Sequence, residues 1–150
     1  MSASLPIDIL LVEDNPQDLK LALRSLKQAG VSERVQVARD GAEALEFVFG
    51  EGPHTGRGFH DAPKVIFLDL KLPKVDGLEV LRRLKSDPRT KSIPIVVLTS
   101  SQEQSDVLKS YQLGVNSYIV KPVNFERYAE AVRELGMYWL LLNQPPRLEQ

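Results

Sequence analysis

Apolar residues gather in five short runs along the chain: Ile7–Val12, Val35–Ala38, Val65–Leu68, Ile93–Leu98 and Ser117–Val120. Each is rich in Val, Ile or Leu, and the apolarity is nearly continuous rather than alternating. That pattern predicts strands covered on both faces. Between the runs, apolar residues recur at helical spacing. The first helix is predicted from about Pro16, which suits the first helical turn, through Leu19, Ala22, Leu23 and Leu26 to a stop at Gly30. Further helices are predicted over about 41–49, 76–86, 102–113 and 124–142, where Pro145 and Pro146 forbid extension.

Strand and helix alternate five times, which predicts a parallel sheet with helices on both faces, a doubly wound α/β fold. Residues 50–63, rich in Gly, Pro and His, read as an extended surface loop. Residues 1–6 read as an N-terminal extension and residues 143–150 as a C-terminal tail of one domain spanning 1–150. A chain of 150 residues can bury roughly 68–70% of the surface it exposes when unfolded, enough for a single core. The net charge of −1 supplies no field to draw the chain to nucleic acid or anionic lipid, so neither is an expected partner. The absence of cysteine excludes disulfides, zinc thiolates and thiol chemistry. The N-terminus lacks the basic region of a signal peptide, and no run approaches the roughly 18 apolar residues of a membrane span. A cytoplasmic location is expected.

In open α/β sheets ligands bind beyond the carboxyl ends of the strands. The residues just past each run therefore carry the information. They are Glu13 and Asp14 after the first, Asp69 after the third, Thr99 and Ser100 after the fourth, and Lys121 with Pro122 after the fifth. Arg39 and Asp40 follow the second and read as a helix cap. Singly, each of the others has a plain explanation: Glu13–Asp14 or Thr99 as caps, Asp69 as a turn residue, Lys121 as a solvated lysine. Together they place three carboxylates, a hydroxyl and an ammonium on one edge of one sheet. Converging carboxylates repel, and a hard divalent cation such as Mg²⁺ relieves them with an all-oxygen coordination shell. A metal, a carboxylate nucleophile, a lysine and a hydroxyl form a set suited to phosphoryl transfer. Asp69, between the other clusters, is the best nucleophile candidate.

These residues resemble the receiver domain of two-component response regulators: Glu13–Asp14, Asp69 within D-L-K-L-P-K-V-D-G, Thr99 in L-T-S-S, and Lys121–Pro122. The resemblance implies a flavodoxin-like sheet of order 2-1-3-4-5, the order the general doubly wound rule already associates with the chemotaxis receiver. It implies that Asp69 is phosphorylated by a sensor histidine kinase. Asp14 and Asp69 would bind Mg²⁺ directly, the Lys71 backbone carbonyl would add a third protein ligand, and Glu13 would act through water. Thr99 and Lys121 would hold the phosphoryl oxygens. Pro73 and Gly77 would shape the turn after the nucleophile, and Pro122 resembles the family's proline with a cis peptide bond. Tyr118 matches the family's aromatic switch position, moving as Thr99 is drawn to the phosphoryl group. No catalytic turnover beyond slow loss of its own phosphate is implied.

On the last helix Phe125, Tyr128, Ala129, Val132, Leu135, Trp139 and Leu142 share one face, expected to be the core face. The opposite face turns apolar at Met137, Tyr138 and Leu141, which predicts a homodimer through the last helix and last strand. The layout, the long loop and this helix resemble receivers that serve bacterial phytochrome kinases. Two rival readings share part of the chemistry. An aspartyl-phosphate hydrolase of the haloacid dehalogenase class would carry a second Asp two residues after the nucleophile, where this chain has Lys71. A flavodoxin would need a Ser/Thr/Gly phosphate loop where this chain has acidic EDNPQD. A receiver-like binding module that works without phosphorylation remains the alternative.

Overall fold

The structure, a computed structural model, describes residues 7–30, 34–56 and 61–146. The predicted extension 1–6, residues 57–60 of the loop and residues 147–150 of the tail lie outside these. The elements alternate β1 (Ile9–Val12), α1 (Pro16–Gln28), β2 (Val35–Ala38), α2 (Gly41–Phe49), β3 (Val65–Leu68), α3 (Gly77–Ser86), β4 (Ile95–Thr99), α4 (Gln104–Leu113), β5 (Ser117–Val120) and α5 (Phe125–Met137). All strand pairs are parallel and the order is β2-β1-β3-β4-β5, the flavodoxin-like arrangement.

Each central strand buries both faces. Leu10, Val12, Ile66, Leu68, Ile95 and Val97 face one core, closed by α2 and α3. The alternate residues Ile9, Leu11, Val65, Phe67, Val96 and Leu98 face a second core, closed by Leu19, Ala22 and Leu26 of α1 and by Tyr128 and Val132 of α5. This is why the runs lack polar alternation: a side chain pointing either way meets a helix. Fully burying each such side chain contributes about 1.5–3 kcal/mol, so truncating Phe67 would cost about 3–5 kcal/mol.

Four helices begin with a side chain that satisfies the first free N–H groups. Asn15 accepts from Gln17 and Asp18, Asp40 from Glu43, Asp76 from Glu79, and Asn124 from Glu126 and Arg127. Glu103, ahead of α4, makes no such bond. The caps are therefore neither Glu13–Asp14 nor Thr99, and those groups are left for other work.

Three expectations need correction. Phe125 and Leu142 are not core residues; they are 70% and 76% exposed. Phe125 is the first residue of α5, ahead of the turns that pack on the sheet, and Leu142 lies after Met137, where Tyr138–Leu142 winds as a π-turn that rotates the helical face. The Lys121–Pro122 peptide bond is trans, since the described residues include no cis peptide. Lys121 reaches the sheet edge without it, and trans is the form intrinsically favoured before proline. The fourth strand starts at Ile95 rather than Ile93, because Pro94 has no N–H to give a ladder.

Candidate functional site

The sheet register assembles the site. Val12 is the register partner of Leu68, so Glu13 and Asp69, each one residue further on, emerge side by side. The ladder runs one step past the strands: Asp69 N–H donates to the Val12 carbonyl at 3.1 Å, and Lys121 N–H donates to the Thr99 carbonyl at 2.7 Å. Glu13, Asp69, Thr99 and Lys121 are thus held by backbone that the cores on both faces have already fixed.

Asp69 is 6% exposed. Its Oδ1 accepts from the Thr99 hydroxyl at 2.8 Å and from the Lys71 N–H at 3.1 Å, and its Oδ2 accepts from Lys121 Nζ at 3.0 Å. Lys121, its side chain 9% exposed, also donates to Glu13 Oε1 at 2.6 Å and to Asp18 Oδ2 at 2.9 Å. Its three N–H bonds are all directed at carboxylates. Burial works against the ammonium, but the bonds to Glu13 and Asp18 outweigh it and hold Lys121 protonated above the usual lysine range. Glu13 is raised as well: burial first, then the Asp69 charge, push it up to about 7 against the pull of Lys121. One ammonium does not balance this many acids.

Glu13, Asp14 and Asp69 each bring a carboxylate oxygen within 4.8 Å of the others. An all-oxygen, anionic donor set fits a hard divalent cation, which would supply the charge the cluster lacks. Asp14 is exposed and Glu13 buried, so the set opens to solvent on one side only.

The turn after Asp69 is built by close backbone approach. Gly77 N–H donates to the Leu70 carbonyl at 2.8 Å, and a Cβ on Gly77 would stand 2.4 Å from both the Asp69 carbonyl oxygen and Leu70 Cα. The Pro73 carbonyl accepts from Gly41 and Val75, and Lys74 takes a left-handed φ of 68° within this turn. Gly41 carries a matching constraint, since a Cβ there would meet the Val75 carbonyl at 1.8 Å. Tyr118 is half-buried and donates from its hydroxyl to the Ser101 carbonyl at 3.0 Å. Ser101 in turn donates to Asp106 on α4, which links the segment after Thr99 to that helix.

Glu13, Asp14, Asp69, Lys71, Thr99 and Lys121 thus come together at one edge, with Pro73 and Gly77 in the turn after Asp69 and Tyr118 on β5. Met137 ends α5 and Tyr138 and Leu141 lie in the π-helical turn after it, all exposed and apart from this cluster. Asp18 was missed by the sequence reading. Its signal was its place in the first turn of a helix starting at Pro16, where side chains tilt back toward the N-terminus and so toward the strand ends. Gly41 was missed as well, for its partner Val75 is remote in sequence.

Residues 9–133 match the response regulator receiver domain family, and the chain belongs to it. Among known proteins, it is 41% identical over 146 residues to the probable methanogenesis regulatory protein FilR2 of Methanothrix harundinacea, covering 97% of this chain and 92% of that one. It is 39% identical over 135 residues to response regulator Rcp1 of Synechocystis sp., covering 90% of each. The Mn(2+)-bound crystal structure of Rcp1 superposes with a TM-score of 0.87 at 38% identity, covering 94% of this chain and 99% of that one. The phosphorylated cyanobacterial phytochrome response regulator RcpA gives 0.87 at 39% identity over 95% and 99% of the two chains. The bacteriophytochrome response regulator RtBRR gives 0.73 at 52% identity over 95% and 85%. The chain is thus a two-component response regulator receiver resembling those of phytochrome systems. Among the described residues no helix is long and apolar enough to cross a membrane.

Proposed function

We propose that Asp69 is the phosphoacceptor and that a sensor histidine kinase, of the bacterial phytochrome type, is the donor. The observation that carries this is a carboxylate held at the end of a central strand by a hydroxyl and an ammonium together. A carboxylate oxygen of Asp69 forms the new O–P bond while the P–N bond of a phosphohistidine breaks, and the electron pair leaves on the imidazole nitrogen. Lys121 and Thr99, already at hydrogen-bond distance from Asp69, then hold the phosphoryl oxygens. Asp14, Asp69, the Lys71 carbonyl and, through water, Glu13 are the residues that would hold Mg²⁺. Bound there, Mg²⁺ supplies positive charge against the phosphoryl oxygens. Catalysis in this single receiver domain is limited to its own phosphorylation and slow dephosphorylation.

Output follows from two further features. As Thr99 turns from Asp69 to a phosphoryl oxygen, Tyr118 is the ring positioned to follow, and its bond to the Ser101 carbonyl carries the change to α4. The exposed Met137, Tyr138 and Leu141, with the edge strand β5 beside them, form the surface for a second copy. Sedimentation that shows only monomer at micromolar concentration, with and without phosphorylation, would remove the dimer. Intact mass after incubation with acetyl phosphate and Mg²⁺ tests the acceptor. One added phosphoryl group, absent in Asp69→Asn, is expected. No modification under any condition would instead favour a binding module that works without phosphorylation.

A further inference from the structure

A groove runs between the edge strand β5 and α5, with Ile119 on one wall and Ala131, Glu134 and Tyr138 on the other. These three continue a helical face that begins one turn earlier at Arg127. The spacing i, i+4, i+7, i+11 stacks all four on one side of the helix. Arg127, Glu134 and Tyr138 are exposed. Arg127 and Glu134 carry opposite charges about two turns apart, and among the described residues neither side chain forms an ion pair. Lack of a neighbour is not the reason. On α3, Glu79 closes onto Arg82 and Arg83 at i+3 and i+4, whereas Arg127 leaves Glu130 at i+3 unengaged.

A helix face that offers one cation and one anion at a fixed separation is complementary to itself turned end for end. A two-fold axis beside Ala131 sets two α5 helices antiparallel and exchanges residues equally far on either side of it. Arg127 then faces the partner's Glu134, and Glu134 the partner's Arg127. Ala131 lies at the crossing, where a single methyl group lets the helices approach closely. Tyr138, four residues past Glu134, falls over the partner's Val123, four residues before Arg127. These two are 48% and 98% exposed, so the same register covers apolar surface that the single chain leaves in water. Parallel helices would instead set Arg127 against the partner's Arg127 and Glu134 against the partner's Glu134. We propose that the β5–α5 groove docks a second copy of this chain, with the α5 helices antiparallel and the register set by Arg127–Glu134 pairs. The apolar contact supplies the affinity, because exposed ion pairs contribute little; the charges select the orientation. This deepens the reading of the last helix and β5 as a dimer contact and rests on it.

The test is sedimentation of wild type, Arg127→Glu, Glu134→Arg and an equimolar mixture of the two variants, each with and without phosphorylation. Either variant alone sets like charges against each other in both pairs, and its dimer dissociation constant should rise about tenfold or more. In the mixture the two kinds of chain are complementary again. Dimers of wild-type strength should return there, each holding one chain of either kind, and their return also shows that both variants are folded. Variants that dimerise as tightly as wild type, or a mixture no stronger than its parts, would overturn this register and leave the dimer reading standing. A wild type that stays monomeric in both states would overturn the dimer reading and this inference with it.

Discussion

Two lysines mark the two ends of the sheet. At the carboxyl edge Lys121 donates three bonds to three carboxylates. At the opposite edge Lys85, in the last turn of α3, also donates three bonds, to the carbonyls of Lys91 and Ile93 and to the Asn116 side chain at 2.8–3.0 Å. Asn116 Oδ1 accepts from the Ile95 N–H too, so this second cluster pins the starts of β4 and β5 to α3. The partners make the difference. Lys121 is outnumbered by anions and is held charged, whereas Lys85 has only uncharged oxygens and burial lowers its pKa to about 8. A structural tie needs acceptors alone. Surplus negative charge, by contrast, suits a cation, and among the described residues it is the carboxyl edge that gathers three carboxylates within reach of one ion.

The sharpest way to break the contrast is Lys121→Met. It leaves buried carboxylates facing one another and should cost about 3–5 kcal/mol in urea melts without metal. Mg²⁺ should restore part of this loss. If Mg²⁺ restored nothing, the acids would not share a cation site. Next in size is Gly77→Ala. Its methyl meets backbone atoms that cannot swing away, so a loss of about 3 kcal/mol, the upper end of over-packing costs, is expected together with weaker phosphorylation as Asp69 is displaced. Wild-type stability in this variant would show that the turn has room to yield.

Lys85→Met removes a donor from three acceptors at the other edge and should cost about 1–3 kcal/mol. Mg²⁺ should leave that loss untouched and phosphorylation should proceed as in wild type. The smallest effect is a pH dependence. Lys85 has a folded pKa near 8 against 10.5 for an ordinary lysine, so the unfolded chain binds more protons between those values. Its contribution to stability is present in full above about 10.5 and is lost as pH falls through 8. The slope of stability against pH in this window should flatten in Lys85→Met and remain in Lys121→Met.

Much of this was legible in the sequence because the two cores impose it. A strand sandwiched between helices must be apolar on both sides, so five runs such as Val65–Leu68 stand out, and the polar residue ending each run marks the sheet edge. Parallel register then brings Glu13 beside Asp69 with no further information. What escaped depends on contacts between distant segments. Asp18 joins the site only once α1 is docked on the sheet, and Gly41 is constrained by Val75 across a loop. The rotation of Leu142 out of the core face comes from a π-turn, which helical periodicity does not foresee. The trans bond at Pro122 escaped for another reason: a cis bond was expected there by resemblance, and nothing in the local sequence fixes the isomer.

The most direct test of the acceptor assignment is to trap the phosphoryl group where it forms. Borohydride reduces an aspartyl phosphate to homoserine, and peptide mass mapping then reads the position. After phosphorylation with acetyl phosphate and Mg²⁺, homoserine is expected at position 69 and unchanged aspartate at positions 14 and 18. Homoserine at either of those positions, or a phosphorylated chain in which Asp69 survives reduction intact, would contradict it.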